Sequence, residues 1–196
     1  MRKLTAAAVL LSGIICGLVF FLPWDTAAVT AADTAAARAA EKGVYVTVSS
    51  SAAEGFFQKS FRYGGITADF PMFRLTLSEA LFRPKIAASV FSRGLKCGIE
   101  TGRGSLVTLT RQPMEWKSGS ALLTLSDGTV KLDDIAFAGS TSLAGSAELS
   151  ARDGSLVKAS LLLKTGPEID KALEMAKSMG TFRLTKIKPG EWRIEK

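Results

Sequence analysis

The spacing of apolar positions changes character several times along the chain. From Leu4 to Leu22 it has no period: LTAAAVLLSGIICGLVFFL is nineteen residues without a charge. At a helical rise of ~1.5 Å per residue the run spans ~28 Å, close to the hydrocarbon thickness of a bilayer. Eleven of its residues are Leu, Ile, Val or Phe, each contributing about −0.3 to −0.6 kcal/mol at the centre of an inserted helix. The pattern predicts a transmembrane anchor carried by Leu4, Leu11, Ile14, Leu18, Phe20, Phe21 and Leu22, with Trp24 at the far interface beyond Pro23. An alanine-rich stretch follows, with Asp25 placed to cap it and Gly43 to stop it. It predicts a short helix or stalk over residues 25–43.

From Val44 the period becomes two. Val44, Val46 and Val48 alternate with Tyr45, Thr47 and Ser49, and Phe73, Leu75 and Leu77 alternate with Arg74 and Thr76. Between Ser118 and Thr165 the alternation is clearest. Ala121, Leu123 and Leu125 lead into Asp127-Gly128, a strong two-residue hairpin signal, after which Val130 and Leu132 resume. At Asp133-Asp134 the phase slips by one before Ile135 and Phe137, which predicts a bulge. Leu143, Ala147 and Leu149 form the next strand. Asp153-Gly154 turns the chain, and Val157, Ala159, Leu161 and Leu163 form another. Pro167, with Glu168 and Asp170 in the first turn and Gly180 past the end, opens and closes a helix whose stripe is Ile169, Leu173, Ala176 and Met179. Two last strands flank Pro189-Gly190. The predicted fold is mainly β: an N-terminal transmembrane helix, then an antiparallel meander forming a twisted open sheet or partial barrel, with one short amphipathic helix packed on it. The predicted organisation is residues 1–24 as cytoplasmic tip and anchor, 25–43 as stalk, and 44–196 as an exported β-rich domain.

Charge fixes the expected orientation. Arg2 and Lys3 precede the apolar run and Asp25 is the first charge after it, so the positive-inside rule puts the N-terminus in the cytoplasm. A cleaved signal peptide is the competing reading, but its apolar core would run only about 7–15 residues, which favours retention. A lipoprotein reading fails because Ile15 precedes Cys16. Gly13 and Gly17 form a G-x-x-x-G pair through which two such helices could associate, which would make a homo-oligomer. Beyond the anchor the basic excess is mild, concentrated between Phe56 and Trp116 and again after Leu156. No Lys/Arg cluster interleaves with stacking aromatics, so nucleic acid is not an expected partner.

Catalytic chemistry is not written in the chain. Histidine is absent, so the usual base beside a nucleophile is missing, and two cysteines alone make no Cys/His metal site. The segment Gly102-Arg103-Gly104-Ser105 lacks the third glycine of a dinucleotide loop and the lysine of a P-loop, and reads as a turn between strands. Asp133-Asp134 reads as the bulge rather than as a carboxylate pair. Trp116 and Trp192 read as packing residues. No catalytic residue, cofactor or metal is expected.

In order, the basic tip, the apolar helix ending FFLPWD, the alanine-rich helix, the stretch GTVKLDDIAFAGSTSLAGSAELSARDGSLVKASLLLK and the ending GEWRIEK resemble the type II secretion system protein N (GspN) family, and more distantly AsmA-like proteins. The resemblance implies a non-catalytic, single-pass inner-membrane component of a secretion or envelope-assembly machine. Its periplasmic β domain would act through contacts with other envelope proteins. The AsmA-like kinship implies a rival mechanism, a lipid-binding sheet whose apolar face cradles acyl chains.

Overall fold

The computed structural model describes residues 23–55, 59–71, 73–91, 94–108, 113–153, 155–177 and 183–196. The expected anchor, with Leu4, Leu11, Gly13, Ile14, Gly17, Leu18, Phe20, Phe21 and Leu22, lies outside the described residues. Among the described residues no helix is long and apolar enough to cross a membrane. That observation does not bear on crossing by strands.

The described chain forms one sheet of eleven strands with three helices. Helix α1 spans Trp24–Ala40, and strands β1 (Tyr45–Glu54), β2 (Ser60–Asp69) and β3 (Phe73–Pro84) follow. Helix α2 (Ile86–Phe91) leads to β4 (Leu95–Thr101), β5 (Gly104–Thr108) and β6 (Pro113–Ser126). Then come β7 (Thr129–Gly139), β8 (Ser142–Ser150) and β9 (Leu156–Lys164). Helix α3 (Pro167–Lys177) precedes β10 (Arg183–Lys188) and β11 (Glu191–Glu195). The strand order is β1-β2-β3-β4-β6-β7-β8-β9-β11-β10, with β5 between β3 and β6. Up to β9 this is the expected antiparallel meander. At its end the chain leaves β9, crosses with α3 to the edge as β10, and returns as β11 beside β9.

The hairpin at Asp127-Gly128 is as predicted. Ser126 pairs Thr129, and both turn residues have positive φ, 46° and 74°, as a type I′ turn requires. A Cβ on Gly128 would meet nothing within 4 Å, so its demand is purely conformational. Gly128→Ala is expected to cost about 1 kcal/mol, the left-handed penalty of an L-residue, read from denaturant midpoints at unchanged m-value. The bulge at Asp133-Asp134 is also present: the register shifts between Leu132 and Ile135, and Asp134 has φ 51°.

Three readings are corrected. Asp25 does not cap α1; Pro23 holds that position. The Asp25 Oδ1 instead accepts the Ala53 N–H at 2.8 Å, because β1 is an edge strand whose outward amides need partners. Gly102–Ser105 is not a turn between hairpin strands. Ala80 pairs Thr101 and Leu77 pairs Gly104 in one uninterrupted register, so β4 and β5 are collinear halves of one strand. Val157 does not share a face with Ala159: a register shift pairs Leu149 with Leu156 and leaves Val157 52% exposed.

At Gly102-Arg103 the inward face changes phase, and this change belongs to a feature crossing most of the sheet. In β1 the inward positions are Val46 and Val48, then Ser51 and Ala53. In β2 they switch from Phe61 and Tyr63 to Ile66 and Ala68, about Gly64-Gly65. In β3 they switch from Leu75 and Leu77 to Ala80 and Phe82. The same change occurs across Gly102-Arg103, from Thr101 to Gly104, and in β6 between Trp116 and Gly119. A phase slip in one strand alone would turn its apolar set to the wrong face. Here neighbours slip together and the pairing from β1 to β5 stays in register. The result is a transverse crease that keeps one face apolar along its length. Gly104 marks how tight it is: a Cβ there would lie 2.4 Å from the Trp116 ring.

Candidate functional site

The apolar face is the surface that this sequence builds most deliberately. Cross-strand partners carry it from edge to edge: Val46, Ala68, Leu75, Leu106 and Met114 pair in succession, as do Phe137, Leu143, Leu163 and Trp192. A sheet face of this kind requires a second layer. The described chain supplies that layer only at the two ends.

At the β1 end the layer is α1. It ends with the Gly43 and Val44 amides bonded to Ala40 and Ala39 carbonyls, and Gly43 at φ 75°, the arrangement that turns a helix back on itself. The alanine-rich helix therefore runs back against the sheet rather than away from it. Trp24 starts α1, and its ring centroid is 6.3 Å from that of Phe61. Ala28 is fully buried, and its carbonyl accepts the Tyr63 hydroxyl at 3.2 Å. Burial pushes the Tyr63 phenol above its ordinary pKa. Alanines are too small to fill the space above Phe61, Tyr63, Ile66 and Phe82, and a cavity of about 350 Å³ remains under α1.

At the other end the layer is α3. Asp170, in its first turn, faces the C-terminal hairpin. Its Oδ1 accepts the Trp192 indole N–H at 2.6 Å and the Gly190 amide at 3.2 Å. Its Oδ2 accepts Lys186 Nζ at 2.7 Å, and the same ammonium reaches Glu174 Oε1 at 2.5 Å. Lys186 also lies over the Trp192 ring, 5.5 Å from its centroid. Lys186 above all, with the Trp192 and Gly190 donors, holds the Asp170 carboxyl below the usual carboxylate range. The cluster is therefore intact at neutral pH and lost only as pH falls below that range. Ile169 and Leu173 of the expected stripe are half-buried. The positioning of α3 by a carboxylate was not foreseen: its partners lie sixteen to twenty-two residues away, and no local pattern joins them.

Between the two helices lies a cavity of about 300 Å³ lined by strands: Leu106, Met114, Trp116, Phe137, Leu143 and Leu161 contribute, with Thr141 at its margin and no helix residue among the lining. Trp116 meets Phe137 edge-on, ring centroids 5.2 Å apart. Trp192 is the only large side chain fully buried among the described residues. Most apolar side chains on this face are half-buried, as a single layer leaves them.

The opposite face is polar and laced with exposed pairs. Arg62 bridges Glu54 and Glu79 across three strands at 2.8 Å to each, and Arg83 pairs Glu100. Such pairs contribute little stability and mainly keep this face wet. No group of three or more potential metal-binding side chains occurs among the described residues.

One comparison covers the whole chain. The family described as "Type II secretion system protein GspN-like, Synergistales" matches residues 1–196. The chain belongs to this family. No curated protein and no solved structure matches it. GspN-like membership connects the sheet to a type II secretion component and to the cell envelope. Other envelope or secretion proteins are the partners that this membership suggests.

Proposed function

We propose that this GspN-like protein is a non-catalytic assembly component of a type II secretion machine, held at the inner membrane by residues 4–22. In this reading residues 1–24 are the cytoplasmic tip and anchor, and the sheet lies on the periplasmic side. The sheet acts by presenting its apolar face to another envelope protein. The observation that carries the reading is the central cavity, an apolar surface with no helix residue among the described residues that line it. The test is in-cell crosslinking of the full-length protein, purification and mass spectrometry. Crosslinks from β5–β9 to secretion-system proteins support the proposal; recovery of the protein alone overturns it. A carbonate wash that released the intact chain from membranes would remove the anchor from it.

A second reading has its own support. The same cavity is lined mostly by aliphatic and aromatic side chains and is large enough for part of an acyl chain. Native mass spectrometry of the detergent-purified chain distinguishes the two. Retained phospholipid favours the acyl-chain reading, and a lipid-free protein favours protein contact.

A further inference from the structure

We propose that α3 is a latched strap: the Asp170 cluster holds it over β11, and its lifting uncovers the Trp192 end of the apolar face. The proposal rests on the reading of that face as a docking surface and adds a gate to it.

The topology makes α3 a strap in the literal sense. It lies in the chain between β9 and β10, which flank β11 in the sheet. Among the described contacts, a polar cluster helps to keep it down, beside the half-buried Ile169 and Leu173. One carboxylate takes three donors from three different places: the β10 lysine, the turn amide of Gly190 and the β11 indole. Glu174, one turn further along, takes the same lysine. The strap's N-terminal end is fixed separately. The Thr165 amide bonds the Gly190 carbonyl at 2.8 Å, and the Asp170 amide bonds Gly166. Gly190 serves both, with its carbonyl at the hinge and its amide at the latch, so removing the Asp170 carboxylate opens the latch while the Thr165 bond remains.

What lies beneath is apolar. Trp192 has no exposed surface, it pairs with Leu163, and Ile194 beside it pairs with Leu161. Leu161, Leu163 and Ile194 line the central cavity. Lifting α3 would join the Trp192 ring to that cavity and lengthen the bare surface by one strand.

Among the described residues the charges around the latch are Asp170 and Glu174 from α3, Lys186 from β10, the Lys188–Glu191 pair (2.9 Å) at the hairpin turn, and Lys164 of β9 beside Glu191. Asp170→Ala removes the carboxylate that all three donors share, whereas Asp170→Asn keeps one amide oxygen and loses the charge and the oxygen that accepts Lys186. Substituting it leaves the strand ladders untouched.

The experiment is hydrogen exchange on the full-length chain in detergent, comparing wild type with Asp170→Asn and Asp170→Ala, alongside fluorescence of an apolar dye. Exchange of the α3 amides about tenfold faster or more, with β7 and β8 still protected and dye fluorescence raised, is the expected result. Unchanged α3 protection in both variants overturns the proposal. So does loss of protection throughout the sheet, which would make α3 an integral layer, and so does faster exchange of α3 without added dye binding. None of these readouts uses a partner, so failure of the strap is separable from failure of the docking reading. Lys186→Met, which keeps the stem and removes the charge, should reproduce the release in part.

Discussion

Gly145→Ala is expected to destabilise the sheet by about 3 kcal/mol, a fall of about 10 °C in Tm for a domain of this size. Gly145 sits in β8 at φ 140°, where an L-residue is strained whatever the surrounding space. Space is lacking as well: a Cβ would lie 2.1 Å from the Ser160 carbonyl oxygen and 3.0 Å from the Leu161 Cα of β9. Both contacts are backbone, so no side chain can swing aside. Relief requires β8 to move from β9 around the Gly145–Leu161 and Ser146–Ser160 pairs. The Gly128 substitution is the internal comparison, since it adds the same methyl with nothing in its way. Thermal and denaturant unfolding of the two variants side by side would check this. Equal losses would mean that the β8–β9 ladder yields freely, which would contradict the close approach.

Trp192→Ala is expected to cost about 3–5 kcal/mol, the range for deleting a large buried aromatic. The fully buried ring is the centre of the small core at this end, and its removal also takes one donor from Asp170. The loss should concentrate in α3, β10 and β11, with the β1–β3 end under α1 unaffected. Hydrogen exchange resolved by peptide separates these. Trp192→Phe keeps most of the apolar volume and should lose much less. A uniform loss across all strands would show that the two ends are not independently covered.

The sequence was most informative where one residue type has one backbone use. Asp127-Gly128 specifies its turn through positive φ at both positions, and Pro167 with Glu168 and Asp170 specifies a helix start. The slip at Asp133-Asp134 was visible because strong alternation lies on both sides of it. The other slips were not visible. In β1 the change at Ser49 separates valines from serines and alanines, and in β4–β5 it falls on glycines, so neither strand announces a change of face. Only alignment of Ser49 with Gly65, and of Ser78-Glu79 with Gly102-Arg103, reveals the crease, and that alignment is a long-range property. Asp25 and Asp170 were misread or overlooked for a related reason. Each lies in the first turn of a helix, where local rules account for it fully. Each spends its carboxylate on a distant strand instead. Of the candidate site, the apolar face was legible from alternation. The amphipathic stripe of α3 announced a cover at one end; the packing of the alanine-rich helix on the other end was not legible.

Strand order also bears on how the chain assembles. From β1 to β9, with the collinear β4 and β5 counted as one strand, every strand lies beside the one that precedes it in the chain, so each has a ready template and growth needs only short loop closures. β10 breaks this rule, because the place beside β9 belongs to β11. β11 must enter between β9 and β10, which positions it only after every other strand exists. Until then β9 shows an open side to its surroundings. Synthesis stalled before Glu191 would leave a nearly complete sheet with an unfilled slot, the most adhesive form this chain can take.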